Sequence, residues 1–476
     1  MAKKGRVAEG AKAKAGSTSD SRLWEAIGPV ALSAIQGWVS SLEARLPRSG
    51  QATLSEISKL AFETRNEVLA PIVEAIVRHQ VEAWQDTKYT DCPHCGRPVF
   101  RKRTGERQLL TLAGTLVVPT PYFYCAACGE GFSPVSDALE LAEAMRQYDV
   151  QAVVTKLAAK MSYEEAVEIA GLIVGEKIVA STTHDHVQAV VAATQLATVI
   201  PTAEELKIRL AAAGQKLGRE PLVVVAADGA MAPTRPEGGR KTQRGPGKWR
   251  EVKGFRVLAE TDGGGVQTLA SWHQIGDTES LRAALLLVAE RLPETGFEVV
   301  LVGDGAEWVW NVMTACFPKA VQILDKYHLA EHVFDCAHAQ YGETVAAEQW
   351  ALVMLARLSQ NHVSDALGGL RRMLPSGKEA KKEIERLISY LETHRERLDY
   401  DRHRAEGRPI GSGAIEAANK AIVHRRLKIS GAWWLEANGN GLLRLRCALA
   451  NGTFDRVMRA YINSRTGKST KATLKS

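Results

Sequence analysis

PLVVVAADGA, residues 221–230, is the stretch from which the fold can be read. Leu222, Val223, Val224 and Val225 form an unbroken apolar run in which three residues are β-branched. Such a run reads as a strand buried on both faces. Asp228 and Gly229 follow, so the aspartate is expected where the strand leaves the sheet, the usual place for chemistry in open α/β folds. FEVVLVGDGA at 297–306 repeats the pattern and puts Asp304 at the end of a second buried strand. A single strand-end aspartate reads as a helix cap or a turn former. Two with the same Asp-Gly ending suggest one shared site, with carboxylates close enough to hold divalent cations.

Between and beyond the aspartates come two strand-like segments, GFRVLAE and VQTLASWHQI, joined by a turn at Gly263–Gly265. A helix opens at Asp277-Thr278; the Asp304 strand, the helix AEWVWNVMTACF and the strand KAVQILDKYH follow. Three strands, helix, strand, helix, strand is the order of a ribonuclease-H-like sheet, in which the first and fourth strands are neighbours. The segment RPEGGRKTQRGPGKW carries Arg235, Arg240, Lys241, Arg244 and Lys248. It is either a solvated hairpin tip or a loop that tracks phosphates beside the site.

Residues 328–408 read as a charged helical insertion, after which Gly411-Ser412-Gly413 turns the chain into a last helix. On that helix Glu416, Lys420 and His424 recur every four residues. A lone Glu–Lys pair is an ordinary solvent-exposed pair. Here the glutamate follows two strand-end aspartates, among Lys420, Arg425, Arg426 and Lys428. That setting fits a third metal ligand facing a nucleic-acid backbone.

The chain of 476 residues is long enough for about three domains. Its 45% hydrophobic and 24% charged residues are those of an ordinary soluble protein. The net charge of +7 is concentrated at the N-terminus, near 235–256 and near 420–428, which suggests a polyanionic partner rather than a membrane. No stretch has the length of a transmembrane span, and a cytoplasmic, nucleoid-associated protein is expected. Of seven cysteines, four fall in two CxxC pairs, Cys92/Cys95 and Cys125/Cys128, each followed by glycine. Paired knuckles of this kind supply the four soft ligands of a structural Zn²⁺ better than they form disulfides. The β-rich LVVPTPYFY between them completes the picture of a zinc ribbon, with Arg97, Arg101, Lys102 and Arg103 favouring DNA as its partner.

The expected organisation is a disordered basic tail at 1–19, a helical region at 20–88 with breaks at Pro29, Pro47 and Pro71, and the zinc ribbon at 89–136. A helix-turn-helix-like region at 137–218 would offer Thr182, Thr183, His184 and His186 to a groove, although many helical hairpins bind nothing. The α/β core follows at 219–327, the insertion at 328–408, the core's C-terminal helices at 409–460 and a basic tail at 461–476.

ADGA around Asp228, GDGAEWVW around Asp304, ILDKYHLAEH at 323–332 and GSGAIEAANKAIVHRRLKISGAWW at 411–434 together resemble the DDE transposases of bacterial insertion sequences, most of all the ISKra4 and ISLre2 type. The resemblance implies an α/β ribonuclease-H-like catalytic core interrupted by a helical insertion, with Asp228, Asp304 and Glu416 as the metal-binding triad. It also implies two Mg²⁺ (or Mn²⁺) ions, and DNA strand cleavage and strand transfer. Asp325 and His328 match an Asp-x-x-His element of the family, which makes His328 an active-site neighbour; a strand-end histidine satisfying backbone groups is the alternative. Expected partners are double-stranded DNA, as element ends and target, and further copies of the chain on that DNA. Two other readings stay open: a structure-specific nuclease or resolvase on the same fold, and a domesticated, non-catalytic DNA-binding protein.

Overall fold

A computed structural model describes residues 19–47, 51–236 and 247–467. The N-terminal tail, apart from Ser19, and the loop cations Arg240, Lys241 and Arg244 lie outside the described residues. The chain divides into two compact units, one built mainly from the residues before 184 and one mainly from those after it.

In the first unit the helices Ser19–Arg45, Leu54–Thr64 and Asn66–Gln80 precede six short strands. Pro47 lies just past the end of the first helix, but Pro29 and Pro71 sit inside helices instead of breaking them. A helix-interior proline forfeits one hydrogen bond and costs ~3 kcal/mol, so the tertiary packing of these two helices outweighs the local penalty. The strands β1 (Tyr89–Asp91), β2 (Pro98–Arg103), β5 (Tyr122–Cys125) and β6 (Glu130–Phe132) form one antiparallel sheet in the order β1-β2-β5-β6. β3 (Glu106–Thr111) and β4 (Gly114–Pro119) form a separate hairpin. The run LVVPTPYFY is therefore two strands in two sheets, divided where Pro119 and Pro121 remove ladder donors. The helix Tyr163–Val174 follows, and after Gly175 at φ +80° comes Ala180–Ala192, which from His184 on belongs to the second unit.

The second unit is organised on a five-stranded sheet: β7 (Leu222–Thr234), β8 (Lys248–Glu260), β9 (Val266–Ile275), β10 (Glu298–Gly303) and β11 (Val321–Leu324). Its strand order is β11-β10-β7-β8-β9. β7, β8 and β9 are an antiparallel meander, while β10 lies parallel to both β7 and β11. The first and fourth strands of the unit are thus neighbours, as the element order suggests. Val223, Val225, Val300, Leu301 and Val302 are buried, as a sheet covered on both faces requires. β7 does not stop at Asp228. It runs on to Thr234 because β8 keeps pairing with it, while its pairing with β10 ends at Ala226.

Residues 326–405 form a group of helices beginning with Lys326–Tyr341. The segment after Gly413 departs from a regular helix: Gly413–Ala418 is α-helical, Asn419–His424 is a π-helix, and Arg425–Leu427 is α-helical again. Arg446, on the helix Glu436–Ala450, donates to the Ala421 and Ile422 carbonyls and so satisfies acceptors within the π-turn. The last helix, Phe454–Thr466, carries regular structure into the stretch expected as a C-terminal tail.

Candidate metal and active-site residues

The four thiols of the first unit converge. Cys92 and Cys95 lie on the turn from β1 to β2, and Cys125 and Cys128 on the turn from β5 to β6. Gly96 and Gly129 adopt left-handed φ of 69° and 74°, which lets each knuckle close, with Gly96 N–H on Cys92 O and Gly129 N–H on Cys125 O. Cys92 Sγ and Cys128 Sγ are 3.9 Å apart, Cys95 Sγ and Cys125 Sγ 3.7 Å. Zn–S bonds in a tetrahedral site of four thiolates place sulfurs about 3.8 Å apart, so the set fits a zinc ion. Hydrogen bonding, led by the Cys128 backbone N–H, pushes the Cys125 thiol down, while the hydrogen bond with Cys95, burial and the other thiols push Cys128 up. His94 lies outside the cluster. The sheet's own buried core is only Cys92, Val99, Phe123 and Cys125, too small to hold without the ion. Elemental analysis is expected to find about one zinc per chain, and Cys92→Ser with Cys125→Ser to leave the ribbon unfolded. A metal-free protein with native ribbon resonances would contradict this.

In the second unit the two aspartates stand level. Val302 pairs with Ala226 across the parallel β10–β7 ladder, and Asp304 and Asp228 each lie two residues further on. Asp228 is held at both oxygens: Oδ1 accepts the Gly229 N–H at 2.7 Å and Oδ2 accepts from Asn419 Nδ2 at 2.8 Å. Burial pushes its carboxyl up to about 6, reinforced by the negative charges of Asp304 and Glu416 and opposed by the Gly229 bond and by His328. Asp304 Oδ1 accepts the Ala306 N–H at 3.0 Å, and its own carbonyl takes the Tyr390 hydroxyl at 2.7 Å. Tyr390 belongs to the helix Lys378–Thr393, so the helical group after β11 braces the second aspartate. Gly305 permits this approach, because a Cβ there would fall 2.7 Å from the Tyr390 ring.

Glu416 is less tightly placed. Its side chain is half-exposed and pairs with Lys420 at 3.8 Å. Among the described residues, the four cysteines are a set whose ligand atoms all lie within 4.8 Å of one another; the three carboxylates do not form such a set. Their link is through charge at Asp228, not a closed cage. His328 is half-exposed, with Nδ1 3.7 Å from the Glu331 carboxylate. Asp325, by contrast, is buried and consumed by backbone donors: Tyr327 N–H at 2.6 Å, His328 N–H at 3.1 Å and Ser412 N–H at 2.5 Å. It caps the helix Lys326–Tyr341 and ties the turn before Glu416 to the end of β11.

Two residues of this site escape a reading by motif. Asn419 opens the π-turn and is buried; its Oδ1 lies 3.0 Å from His273 Nε2. His273, on β9, is fully buried, and burial holds its imidazole down to about 3, hence neutral. Because Asn419 spends its amide N–H on Asp228, its oxygen must accept, so His273 carries its proton on Nε2. Gly254 on β8 makes room, since a Cβ there would sit 2.3 Å from the imidazole. The result is a hydrogen-bonded chain, His273 to Asn419 to Asp228.

The basic residues sort by exposure. Lys248, Lys420, Arg425 and Lys428 are exposed. Arg426 is not: it is 2% exposed, donates to the Ala158 carbonyl at 3.0 Å and stacks 4.8 Å from the Trp434 ring centroid. The expectation that it touches phosphate is therefore set aside. Arg426→Ala is expected to lower stability by about 2 kcal/mol through the stranded carbonyl and lost packing, and Lys428→Ala by almost nothing. Equal melting temperatures for the two variants would contradict that division. Thr183, offered above to a DNA groove, is likewise buried and bonded to Val179 O and to Arg146. Among the described residues no helix is long and apolar enough to cross a membrane.

Residues 283–461 match the profile of a family described as "Uncharacterised protein family (UPF0236)". No curated protein matches. Among solved structures, the chain is similar to one in a "Drosophila P element transposase strand transfer complex", with 10% identity over 68% of this chain and 84% of that one. The TM-score is 0.24, an overlap too loose to equate the two folds.

Proposed function

We propose that this protein is a transposase whose ribonuclease-H-like core cuts and joins DNA through Asp228, Asp304 and Glu416. The observation that carries the reading is the level placement of Asp228, on β7, and Asp304, one residue past the end of the adjacent parallel strand β10. Two carboxylates so placed, one pushed up first by desolvation and further by the charge of the other, form a poor structural pair but a good cation site. All three donors are carboxylate oxygens, which suit Mg²⁺ or Mn²⁺ and not the soft ion that fits the cysteines. Bound there, such ions supply a Lewis acid that activates the attacking oxygen and stabilises the leaving one in an in-line displacement.

The chain's own residues set the geometry of that chemistry. Gly229 and Asn419 fix the Asp228 carboxylate in one rotamer, and Ala306 and Tyr390 fix Asp304 and its backbone. Glu416 stands next to Lys420, so binding a cation requires it to leave that ammonium, which becomes available to a DNA phosphate. Lys248, Arg425 and Lys428 extend the positive surface. The loop cations Arg240, Lys241 and Arg244 are proposed to act likewise. Replacing all three with alanine is expected to weaken binding to every duplex about equally and to flatten its salt dependence. Unchanged binding across several salt concentrations would make that loop a bystander.

The cation site itself is tested by Mn²⁺ titration of the zinc-loaded protein, read by electron paramagnetic resonance. Wild type is expected to bind Mn²⁺, and Asp228→Asn and Asp304→Asn each to lose it. Equal binding by wild type and both variants would remove the aspartates from the site. Exposed apolar side chains on the helix Ser19–Arg45, among them Trp24, Leu32 and Val39, suit association of copies on the DNA.

A further inference from the structure

The far end of the β7–β8 hairpin carries a feature that the carboxylate site does not use. Trp249 on β8 is 54% exposed, and Trp433, in the connection before the helix Glu436–Ala450, is 43% exposed. Their ring centroids lie 6.3 Å apart with the planes at 63°.

Trp249 is carried on β8, and Trp433 is placed beside it by what lies behind. The neighbouring Trp434 is stitched to the end of β7: its N–H donates to Pro233 O at 3.1 Å and its carbonyl accepts from Arg235 N–H at 2.8 Å. Its indole N–H donates to Leu427 O at 2.9 Å, and Arg426 stacks on its ring. With Trp434 pinned, Trp433 is carried beside Trp249. Gly247 lies against it so closely that a Cβ would fall 2.2 Å from the ring. The pair is positioned, not loose.

One cation stands beside the pair: Lys428 Nζ sits 5.8 Å from the Trp249 ring centroid. Lys248 and Arg250 alternate with Trp249 along β8 and so face the other side, where with Arg235 and Glu436, the ion-pair partner of Arg250, they line a cleft of about 520 Å³. Lone exposed apolar side chains need no explanation, but two adjacent exposed indoles with an ammonium group at their edge do. An apolar peptide would gain nothing from the ammonium group. A nucleobase with its phosphate uses both, since every base has a π-face and every phosphate a charge.

We propose that Trp249 and Trp433 form a stacking platform for an unpaired nucleobase, with Lys428 taking the adjoining phosphate. The proposal rests on the reading of this protein as one that acts on DNA. Trp249 pairs with Pro233, five residues along β7 from Asp228, which is about 17 Å at the strand rise. The platform therefore takes a nucleotide some steps away from the bond being cut.

The test uses the full-length, zinc-loaded protein in EDTA, so that no chemistry is needed. Two fluorescein-labelled probes are titrated and read by anisotropy: a blunt duplex, and the same duplex ending in a short single-stranded overhang that carries 2-aminopurine. Wild type is expected to favour the overhang and quench the 2-aminopurine. Trp249→Ala and Trp433→Ala should each weaken overhang binding about tenfold while changing blunt-duplex binding less than twofold. Trp249→Phe, which keeps a π-face, should retain most of the preference. Lys428→Ala should weaken both probes and lower the salt slope. The proposal is overturned if wild type binds both probes equally, or if the tryptophan variants lose both probes in parallel. It is overturned too if they leave DNA binding intact and abolish self-association in sedimentation, which would make the patch a protein interface. Wild type that binds neither probe would instead defeat the DNA reading on which the proposal stands.

Discussion

Asp228→Asn is expected to reduce metal-dependent strand cleavage by about 10³-fold or more, the scale on which members of one catalytic unit act. The same variant should melt at a higher temperature than wild type in EDTA near neutral pH. The second effect follows from the sign of the perturbation. The Asp228 carboxyl, raised from 3.8 to about 6, binds more protons in the folded than in the unfolded chain between those values. Stability therefore falls as pH rises through that window, and above it the buried carboxylate costs on the order of 3 kcal/mol. Asparagine removes the charge and keeps the shape, although one of its hydrogen bonds must rearrange, so only part of that cost is recovered. The gain should shrink as pH falls towards about 4, where the wild-type carboxyl is protonated. Calorimetry at two pH values in EDTA, beside a cleavage assay with Mg²⁺, checks both halves. A variant that cleaves normally, or one that is less stable at neutral pH, would mean that Asp228 is a structural residue.

Asn419→Ala is expected to reduce cleavage by about 10- to 100-fold, the usual cost of removing a group that orients a metal ligand. It leaves Asp228 Oδ2 without its side-chain donor and the fully buried His273 Nε2–H without its acceptor. The stranded imidazole N–H should also cost about 1–3 kcal/mol of stability. Asn419→Asp is the sharper companion, because it keeps the volume and an acceptor for His273 but puts a carboxylate against Asp228. It should bind divalent cations differently, not merely fold less well. The readout that separates positioning from folding is the Mg²⁺ concentration for half-maximal cleavage, which should rise for Asn419→Ala. A loss of stability with no change in that concentration would make Asn419 only a packing residue.

Much of this architecture is legible in the sequence because the signals are local. The valine runs before Asp228 and Asp304 announce buried strands, and two CxxC knuckles announce the thiol cluster. What escaped is set by distant partners. Nothing near Asp228 shows that β8 prolongs β7 past it, since that depends on the register of residues 248–254. Four-residue spacing from Glu416 to His424 suggests a regular helix, yet the chain makes a π-turn there, stabilised by Arg446 from another helix. The wider turn presents Asn419 to Asp228, and no periodicity in the sequence encodes it. Arg426 reads as one of a basic cluster and is instead a buried donor, because its acceptor lies in Ala158, far away in the chain. Pro29 and Pro71 read as breaks and are absorbed by helix packing.

The central claim is that Asp228, Asp304 and Glu416 act as one cation-dependent site for cutting and joining DNA. The most direct measurement incubates the purified protein with DNA carrying the element's own ends and a target duplex, with Mg²⁺ or with EDTA, and resolves the products by length. The account predicts cleavage at the ends and joined products with Mg²⁺ only. Both should be lost in each of Asp228→Asn, Asp304→Asn and Glu416→Gln, with the triple variant no worse than any single one. Full cleavage by Glu416→Gln would show that the third ligand lies elsewhere. Cutting of branched DNA without joining would make the protein a nuclease, and binding of the ends with no metal-dependent product from the wild type would contradict the account outright.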